Sequence, residues 1–372
     1  MKVIVERSDL LKAMSRAQSI VERRTTIPIL SNVLIEAVND KISLRTTDLD
    51  IEVVEKVTAD IEQEGNTTVS AHTLHDIVRK LPDGASIQLN LDQLSSRLEV
   101  KAGRSRFSLA TLPREDFPIM ATSEYETTFS IASEVLHRLF EKSKFAMSTE
   151  ETRYYLNGVY FHVAEKTDGR VLRAVATDGH RLAQIDETLP EGFSEMPGVI
   201  IPRKTVGELR AILESNDKTI SVSVSETKIR FLNSSMTLTS KVIDGSFPDY
   251  TRVIPKENHK KMEVDAHYFA QSVDRVSTIS SERARAVKLN LQKNQLVLSV
   301  NSPDSGAADE ELVVDYDNDQ LEIGFNAKYL QEISAQVDGN NALFSFNTPS
   351  DPVLMQESTD DSAIYVVMPM RV

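Results

Sequence analysis

The sequence contains no cysteine and no tryptophan among its 372 residues. The absence of cysteine excludes disulfide bonds, thiolate nucleophiles and cysteine-ligated zinc or iron–sulfur sites. No apolar run approaches the roughly 18 residues that a transmembrane helix needs. The first residues, MKVIVER, become charged too early for a secretory signal peptide. We therefore expect a cytoplasmic protein.

Motifs that bind nucleotides or activate nucleophiles are also missing. The chain has no Gly-x-Ser-x-Gly, no Gly-x-x-x-x-Gly-Lys and no Gly-x-Gly-x-x-Gly, and its seven histidines lack the spacing of zinc ligands. Asp178 and His180 could suggest a hydrolase, but a turn aspartate that bonds its own backbone explains the pair equally well. We predict a protein without catalytic residues, cofactor or metal.

The sequence repeats itself at intervals of about 130 residues, which is the size of a domain. Each copy opens with a short alternating strand, a capping residue (Ser8, Ser133 or Asp265) and an amphipathic helix. A second helix follows in each, predicted over residues 72–81, 203–213 and 327–337. The pattern predicts an α+β fold of three repeated domains, 1–122, 127–255 and 261–372, each with two helices packed on antiparallel sheets.

A turn in the middle copy is the strongest local signal. Thr177-Asp178-Gly179 separates two alternating apolar runs between Leu172 and Ile185, which predicts a β-hairpin. The other copies have Leu49-Asp-Ile51 and Pro303-Asp-Ser305 at this place, without the Gly-His-Arg that follows Asp178. Only the middle copy is therefore expected to carry a specialised site here.

The charge distribution leaves two interpretations open. The net charge is −14, from 42 basic and 56 acidic residues, whereas a nucleic-acid-binding protein usually presents a basic footprint. On the six predicted helices, however, basic residues exceed acidic ones by three. These basic residues are either solvated helix faces or a weakly positive surface for a phosphate backbone.

Eight sequence strings carry a resemblance to a known family. They are TIPILSN (26–32), GRSRFSL (103–109), RYYLNG (153–158), ATDGHRLA (176–183), IPRK (201–204), DGSFPDY (244–250), IGFN (323–326) and YVVMPMR (365–371). In this order they resemble the bacterial sliding clamps, the beta subunits of DNA polymerase III, from end to end. The resemblance implies DNA-clamp domains, two chains joined head to tail in a closed ring, and helices that line the hole.

The function that the resemblance implies is that of a polymerase processivity factor. The ring would encircle double-stranded DNA, slide without sequence specificity and tether the replicative polymerase. A peptide-binding scaffold that does not encircle DNA is the alternative. The residues matching the family's DNA contacts are Arg24, His72, Tyr154, Tyr155, Arg203 and Lys204. His72 stands where the family pattern has arginine, Glu150 stands where an amide is usual, and Tyr154-Tyr155 is expected to open an alternating strand.

A second implied site binds short peptides of partner proteins, which include the polymerase alpha subunit, the clamp loader, other polymerases and repair proteins. The matching residues are Leu156, Thr177, Gly179, His180, Arg181, Leu182, Pro248, Arg252, Val253, Asn326, Tyr329, Val366, Val367, Met368, Pro369, Met370 and Arg371. Methionines at 368 and 370 suit a surface that accepts many partners. Pro369 should end the last strand, which leaves the residues after it as a mobile flap.

The implied ring interface joins the end of the first domain to the start of the third domain of the other chain. Phe107 and Leu109 on one side and Ile279 on the other are the candidate contact residues. Membership of the chain's own core is the competing interpretation for Leu109.

Overall fold

A computed structural model describes residues 1–371 apart from residues 24, 93–94, 122–123, 168, 194, 214–216, 281–284 and 304. Within these residues the fold is α+β, as the sequence predicts. Six α-helices accompany strands that pair antiparallel with their neighbours in three sheets. In this part of the chain, no helix combines the length and apolarity needed to cross a bilayer.

The helices lie where the periodicity predicts them, two in each repeat. Their bounds are α1 Arg7–Ile20, α2 Ala71–Lys80, α3 Ser133–Lys144, α4 Arg203–Leu213, α5 Ala266–Ser277 and α6 Ala327–Ser334. The apolar faces are buried as expected. In α1, for example, Leu10, Met14 and Ala17 recur at helical spacing and enter the core of the first repeat.

The starts of α1 and α3 correct two of the three predicted caps. Asp265 caps α5 by accepting from the amide of Tyr268, as predicted. Ser8, however, lies inside α1, which begins one residue earlier without a side-chain cap, and α3 begins at Ser133 itself. The first amide of α1 donates to the carbonyl of Ala85, and the first amides of α3 and α5 likewise donate to loop carbonyls. Tertiary contacts thus satisfy the first amides of these helices.

Each repeat runs strand, helix, strands, helix, strands, which is the predicted order. The first repeat contains β1 Lys2–Glu6, β2 Asn32–Val38, β3 Lys41–Thr47, β4 Ile51–Thr58, β5 Asp60–Gln63, β6 Gly65–Ser70, β7 Ser86–Asp92, β8 Arg97–Ala102 and β9 Ser105–Leu112. The second contains β10 Thr127–Ala132, β11 Gly158–Lys166, β12 Gly169–Thr177, β13 Arg181–Thr188, β14 Val199–Pro202, β15 Thr219–Val224, β16 Lys228–Leu232 and β17 Met236–Lys241. The third contains β18 Lys260–Asp265, β19 Ala286–Gln292, β20 Gln295–Ser302, β21 Gly306–Val313, β22 Asp315–Tyr316, β23 Leu321–Asn326, β24 Asn341–Phe346, β25 Val353–Glu357 and β26 Asp360–Val367.

The chain divides into two compact units. The first unit comprises residues 1–136, 195–197 and 204–242, and its thirteen-stranded sheet runs β10-β15-β16-β17-β4-β3-β2-β6-β9-β8-β7-β1-β5. The second comprises residues 137–194, 198–203 and 243–372. It contains a nine-stranded sheet, β14-β11-β12-β13-β26-β25-β24-β18-β22, and a four-stranded sheet, β21-β20-β19-β23.

Strand pairing joins successive repeats within each unit. The last strand of the second repeat, β17, pairs with β4 of the first, and the last strand of the third, β26, pairs with β13 of the second. The last strand of the first repeat, β9, pairs with β8 along its length but meets β6 only at residues 111–112. Residues 105–110 of β9 therefore have one open edge, and β21 lies at the end of its sheet.

The hairpin turns before β4 and β13 are built by the same hydrogen bonds. Thr177 Oγ1 donates to the carbonyl of Arg181, while Asp178 Oδ1 accepts from the amides of His180 and Arg181. Thr47 and Asp48 make the matching three bonds in the first repeat. Gly179 has φ of 86°, as the predicted turn requires, and Leu49 adopts φ of 81° at the same place. The two turns confirm that β4 and β13 are equivalent.

Candidate functional site

The pairing of β13 with β26 brings the two main groups of predicted peptide-binding residues together. Leu182 lies opposite Val366, and Arg181 lies opposite Val367. Because side chains alternate along a strand, Leu182 and Val366 share one face of the sheet. On that face they join Val175 and Tyr250 in a buried group of side chains.

We call this group the apolar cluster, and four half-buried residues complete it: Tyr160, Phe247, Ile254 and Leu354. Large apolar side chains are exposed on neighbouring segments, namely Val253 at 44% and Met368 and Met370 at 37% each. The sequence prediction missed six members of the cluster: Tyr160, Val175, Phe247, Tyr250, Ile254 and Leu354. Alternation along β12 could have found Val175, two residues before Thr177, but nothing local marks Leu354.

Arg181 is held inside the protein, although the sequence placed it among the peptide-binding residues. Its side chain is 8% exposed and lies on the sheet face opposite Leu182. Its Nε donates to Asp178 Oδ2 (3.1 Å), its Nη2 to the carbonyl of Phe145 (2.7 Å), and its Nη1 to Glu332. The guanidinium also lies 4.5 Å from the ring centroid of Tyr329. Arg181 therefore supports the apolar cluster from the other face of the sheet.

A polar depression with a volume of about 490 Å³ lies beside this arginine. His180 and Tyr329 line it, with their rings stacked at 6.4 Å between centroids, and Arg203 and Lys328 contribute positive charge. Burial, and then the carboxylate of Asp178, raise the pKa of Tyr329, so its hydroxyl stays protonated at neutral pH. Asn326 is engaged as the cap of α6, where its side chain accepts from the amide of Lys328.

The C-terminal residues correct the prediction of a mobile flap. β26 ends at Val367, so the strand does stop before Pro369 as expected. The next residues do not leave the protein, however. The amide of Met368 donates to the carbonyl of His180 (2.9 Å), and the amide of Met370 donates to the carbonyl of Gly324 (2.8 Å). These bonds hold the tail against the turn before β13 and against β23, with the methionine side chains exposed.

The two tyrosines predicted to open a strand lie instead in a short 3-10 helix, Glu151–Leu156. β11 begins only at Gly158, where a side chain cannot fit because a Cβ would lie 2.2 Å from the carbonyl oxygen of Ile201. Tyr154 is 53% exposed and meets Tyr155 edge to face, with the ring centroids 5.7 Å apart. Both tyrosines remain available at the surface, Tyr155 only partly.

The other predicted DNA contacts are bonded within the chain. Lys204 donates to the carbonyl of Ile20 and to Asp48. Burial works to raise the pKa of Asp48, but the Lys204 ammonium and the turn amides outweigh it and lower that pKa. Arg203 Nη2 donates to the carbonyls of Met147 and Ser148, and His72 Nε2 lies 3.2 Å from the carbonyl of Val21. Arg24 lies outside the described residues.

Remaining predicted residues divide between core and surface. Leu156 and Val367 are buried, whereas Pro248 and Arg252 are exposed, and Arg252 is paired with Asp249. Of the predicted interface residues, Phe107 and Leu109 are half-buried and pack against the core of the first repeat. Ile279 is half-buried in the turn after α5.

The hydrogen bonds of Asp178 agree with the interpretation of this residue as a turn aspartate that bonds its own backbone. Both carboxylate oxygens of Asp178 are bonded to the turn and to Arg181, so neither is left to orient His180 as a base. Among the described residues, no three histidine or acidic side chains cluster as metal ligands. The arrangement combines an apolar cluster on one face of the sheet with a polar depression lined by Arg181, whose side chain lies on the other face.

Three comparisons with known proteins agree. Models of the N-terminal, central and C-terminal domains of the DNA polymerase III beta subunit match residues 1–121, 130–249 and 251–371. The chain is 49% identical to the beta sliding clamp of Caulobacter vibrioides and 39% identical to that of Escherichia coli K12, over all of each chain. Among solved structures it is similar to the sliding clamp of Bartonella birtlesii bound to griselimycin, with a TM-score of 0.96 at 48% identity over all of both chains.

Replacing Arg181 tests whether it supports the apolar cluster from the other face of the sheet. Arg181→Met should lower the free energy of unfolding by about 3 kcal/mol, because it leaves buried acceptors without a donor. Arg252→Met is the matched control and should change it by less than about 0.5 kcal/mol, since Arg252 is an exposed ion-pair partner. Urea unfolding followed by circular dichroism measures both. Equal effects of the two substitutions would contradict this role for Arg181.

Proposed function

The chain belongs to the family of DNA polymerase III beta subunits, the beta sliding clamps, and from this membership we propose how its strand edges and surfaces perform the work of a clamp. Its function is that of a polymerase processivity factor. The proposal concerns the closure of the ring, the contact with DNA and the docking of partners. We also propose that the protein acts in the cytoplasm, without catalysis of its own, as three domains at 1–122, 127–255 and 261–372.

Ring closure follows from the joints between repeats. In this chain β4 pairs with β17 and β13 pairs with β26, so each joint unites a last strand with the strand after the equivalent hairpin. The last strand of the first repeat is β9, and the strand of the third repeat that corresponds to β4 and β13 is β21. Both of these strands have an open edge. Pairing β9 of one chain with β21 of another repeats the same joint head to tail. Two chains joined twice in this way form the proposed closed homodimer.

The residue pairing in the proposed joint between β9 and β21 follows by equivalence from the pairing of β17 with β4. Met236 follows the two-residue turn Ser234–Ser235 and pairs with Glu55, which accepts from Arg16. Ser105 follows the equivalent turn Gly103–Arg104 in the first repeat. Its partner would be Glu310, which accepts from Arg275 as Glu55 accepts from Arg16.

This register gives the joint complementary charge. It places exposed Arg106 opposite exposed Asp309, and Arg104 opposite Glu311. Phe107 and Leu109 would lie along the joint and Ile279 beside it, as the interface residues.

DNA contact is proposed for the helices and for the residues that the family pattern marks. The helices α1 to α6 carry six more basic than acidic residues within a chain of net charge −14. Many of these basic side chains are ion-paired, as Arg16 is with Glu55 and Lys142 with Asp338, so the attraction is weak. A weak, salt-sensitive attraction to phosphates permits sliding. The proposed contacts are Arg24, His72, Tyr154, Tyr155, Arg203 and Lys204.

Partner docking is proposed at the apolar cluster and the neighbouring depression. A short peptide from the polymerase, the clamp loader or a repair protein would place apolar side chains against Leu182, Val366 and the exposed methionines. The joint between the first and second repeats has no equivalent surface. There Arg45 and Glu52 stand at the places of Val175 and Leu182 and form an ion pair at 2.7 Å. One docking site per chain follows.

A charge exchange tests the joint. Arg106→Glu and Asp309→Arg should each weaken the dimer by about 1–2 kcal/mol per interface, because like charges would face each other across the strands. The double variant should regain most of the lost stability. Sedimentation equilibrium measures the association, and Arg252→Glu, at an exposed arginine in the second repeat, should leave it unchanged. If the double variant is no stronger than the singles, the proposed register is wrong.

Substitution of Val253 tests the docking site. Val253→Asp should weaken binding of griselimycin at least about tenfold, because it places a charge where an apolar contact forms. Val38→Asp is the control, since Val38 is 53% exposed on β2 of the first unit, whereas the cluster belongs to the second. Calorimetric titration measures both. Wild-type affinity in Val253→Asp would place the ligand elsewhere.

A further inference from the structure

Tyr250 presents its ring to the apolar cluster while its hydroxyl lies within a buried polar group of side chains. Arg173 Nη1 lies 3.2 Å from this hydroxyl, and His162 Nε2 lies 3.1 Å from it. His162 Nδ1 in turn lies 2.9 Å from the carbonyl of Val163. The four groups therefore form a chain that runs under the proposed docking surface.

We propose that this hydrogen-bond chain fixes Tyr250 as a wall of the docking surface, and that it does so only while His162 is neutral. The proposal rests on the docking site assigned above. It makes Arg173 and His162 positioning residues for peptide binding, although neither belongs to the apolar cluster itself.

The direction of every proton in the chain is determined by chemistry. Arginine can only donate, so the hydroxyl oxygen of Tyr250 accepts from Arg173. A backbone carbonyl can only accept, so the proton of neutral His162 is on Nδ1, facing Val163. Nε2 then has a free lone pair and accepts the hydroxyl proton of Tyr250. Each group makes one compatible bond with the next.

Arg173 is itself fixed at the start of the chain. Its Nε and Nη2 donate to the two carboxylate oxygens of Asp186 at 2.6 Å and 2.8 Å. Arg173 and Asp186 are both more than nine-tenths buried. A two-pronged pair of this kind is rigid, so the third donor of Arg173 points in a defined direction.

His162 also contacts the docking surface through stacked rings. Its ring lies 4.3 Å from that of Tyr160, and Tyr160 lies 5.0 Å from Phe247, with angles of 23° and 11° between the planes. Tyr160 and Phe247 both belong to the apolar cluster. A change at His162 would therefore reach the surface through Tyr250 and through this stack.

Protonation of His162 breaks the chain. Nε2 would then carry a proton facing the Tyr250 hydroxyl, which would lose its acceptor, and a second cation would lie near Arg173. The charged and titratable groups around His162 are Arg173 on β12, Asp186 on β13, Tyr250, and Tyr160 on its own strand. Lys166, also on β11, lies 3.9 Å from Asp186.

The environment of His162 sets the pH range of the effect. Burial first, and then the Arg173 charge, lower the pKa of His162 below the ordinary histidine value of about 6.5, against the opposing effect of the Val163 carbonyl. The neutral form therefore predominates at pH 7.5, and affinity should fall only as the pH drops below about 6.5.

Calorimetry at pH 7.5 and pH 4.5 tests this with the full-length protein. The probe is an acetylated, amidated synthetic peptide containing glutamine, leucine and phenylalanine and no titratable side chain. Wild-type affinity should fall about three- to tenfold at the lower pH, the effect of one hydrogen bond. Tyr250→Phe should lose a similar factor already at pH 7.5, and neither it nor His162→Gln should show the fall with pH.

His180→Gln is the matched control, because His180 also lies at the proposed site. Whatever its affinity at pH 7.5, this variant should keep the wild-type fall with pH. Circular dichroism at both pH values establishes that each variant is folded, and Tyr250→Phe, which removes a single atom, serves if His162→Gln is not.

The outcomes separate the two proposals. Wild-type protein that does not bind the peptide at pH 7.5 would overturn the docking site itself. Wild-type protein that binds equally at both pH values would overturn only the role of His162. The role of His162 would also be overturned if the peptide affinity of His162→Gln still fell with pH while that of His180→Gln did not. Tyr250→Phe replaces His162→Gln in this comparison if the latter is not folded.

Discussion

Strand pairing at the joints between repeats is the interaction on which the rest of this structure depends. An unpaired strand edge exposes a row of backbone donors and acceptors, and these groups can pair with a strand of another chain. The chain pairs β4 with β17 and β13 with β26, and it leaves β9 and β21 open. The proposed ring uses the two open edges for a third joint of the same kind, so one geometry repeated six times closes around DNA.

The two joints within the chain have equivalent backbones but different side chains. Only the joint between the second and third repeats has side chains suited to the proposed docking of a peptide. The turns at Thr47–Ile51 and Thr177–Arg181 share their hydrogen bonds. The first joint then buries the Arg45–Glu52 ion pair, where the second has the apolar cluster. The proposed peptide docking on the second joint would add a function without altering the strand pairing that holds the repeats together.

Sequence reasoning predicted the features that local patterns encode. Apolar periodicity located all six helices of the described residues, and Asp178-Gly179 located its hairpin, because each depends on neighbours along the chain. It failed where contacts between residues far apart in the sequence determine the local structure. The first amide of α1 donates to the carbonyl of Ala85, and the amide of the C-terminal tail at residue 370 donates to the carbonyl of Gly324. The carbonyl oxygen of Ile201 leaves no room for a side chain at Gly158. Arg181 was predicted as a peptide-binding residue from its position, and only the structure shows that its guanidinium is bonded to Asp178, to Glu332 and to the carbonyl of Phe145.

Retention on DNA tests most directly the claim that open strand edges close a ring. The protein is placed on nicked circular duplex DNA with a clamp loader, and free protein is removed by gel filtration at moderate salt. Half of the sample is then linearised with a restriction enzyme. The account predicts that protein stays with the circles and is lost from the linear molecules, since topology and not affinity retains it. Equal retention on both would contradict the account.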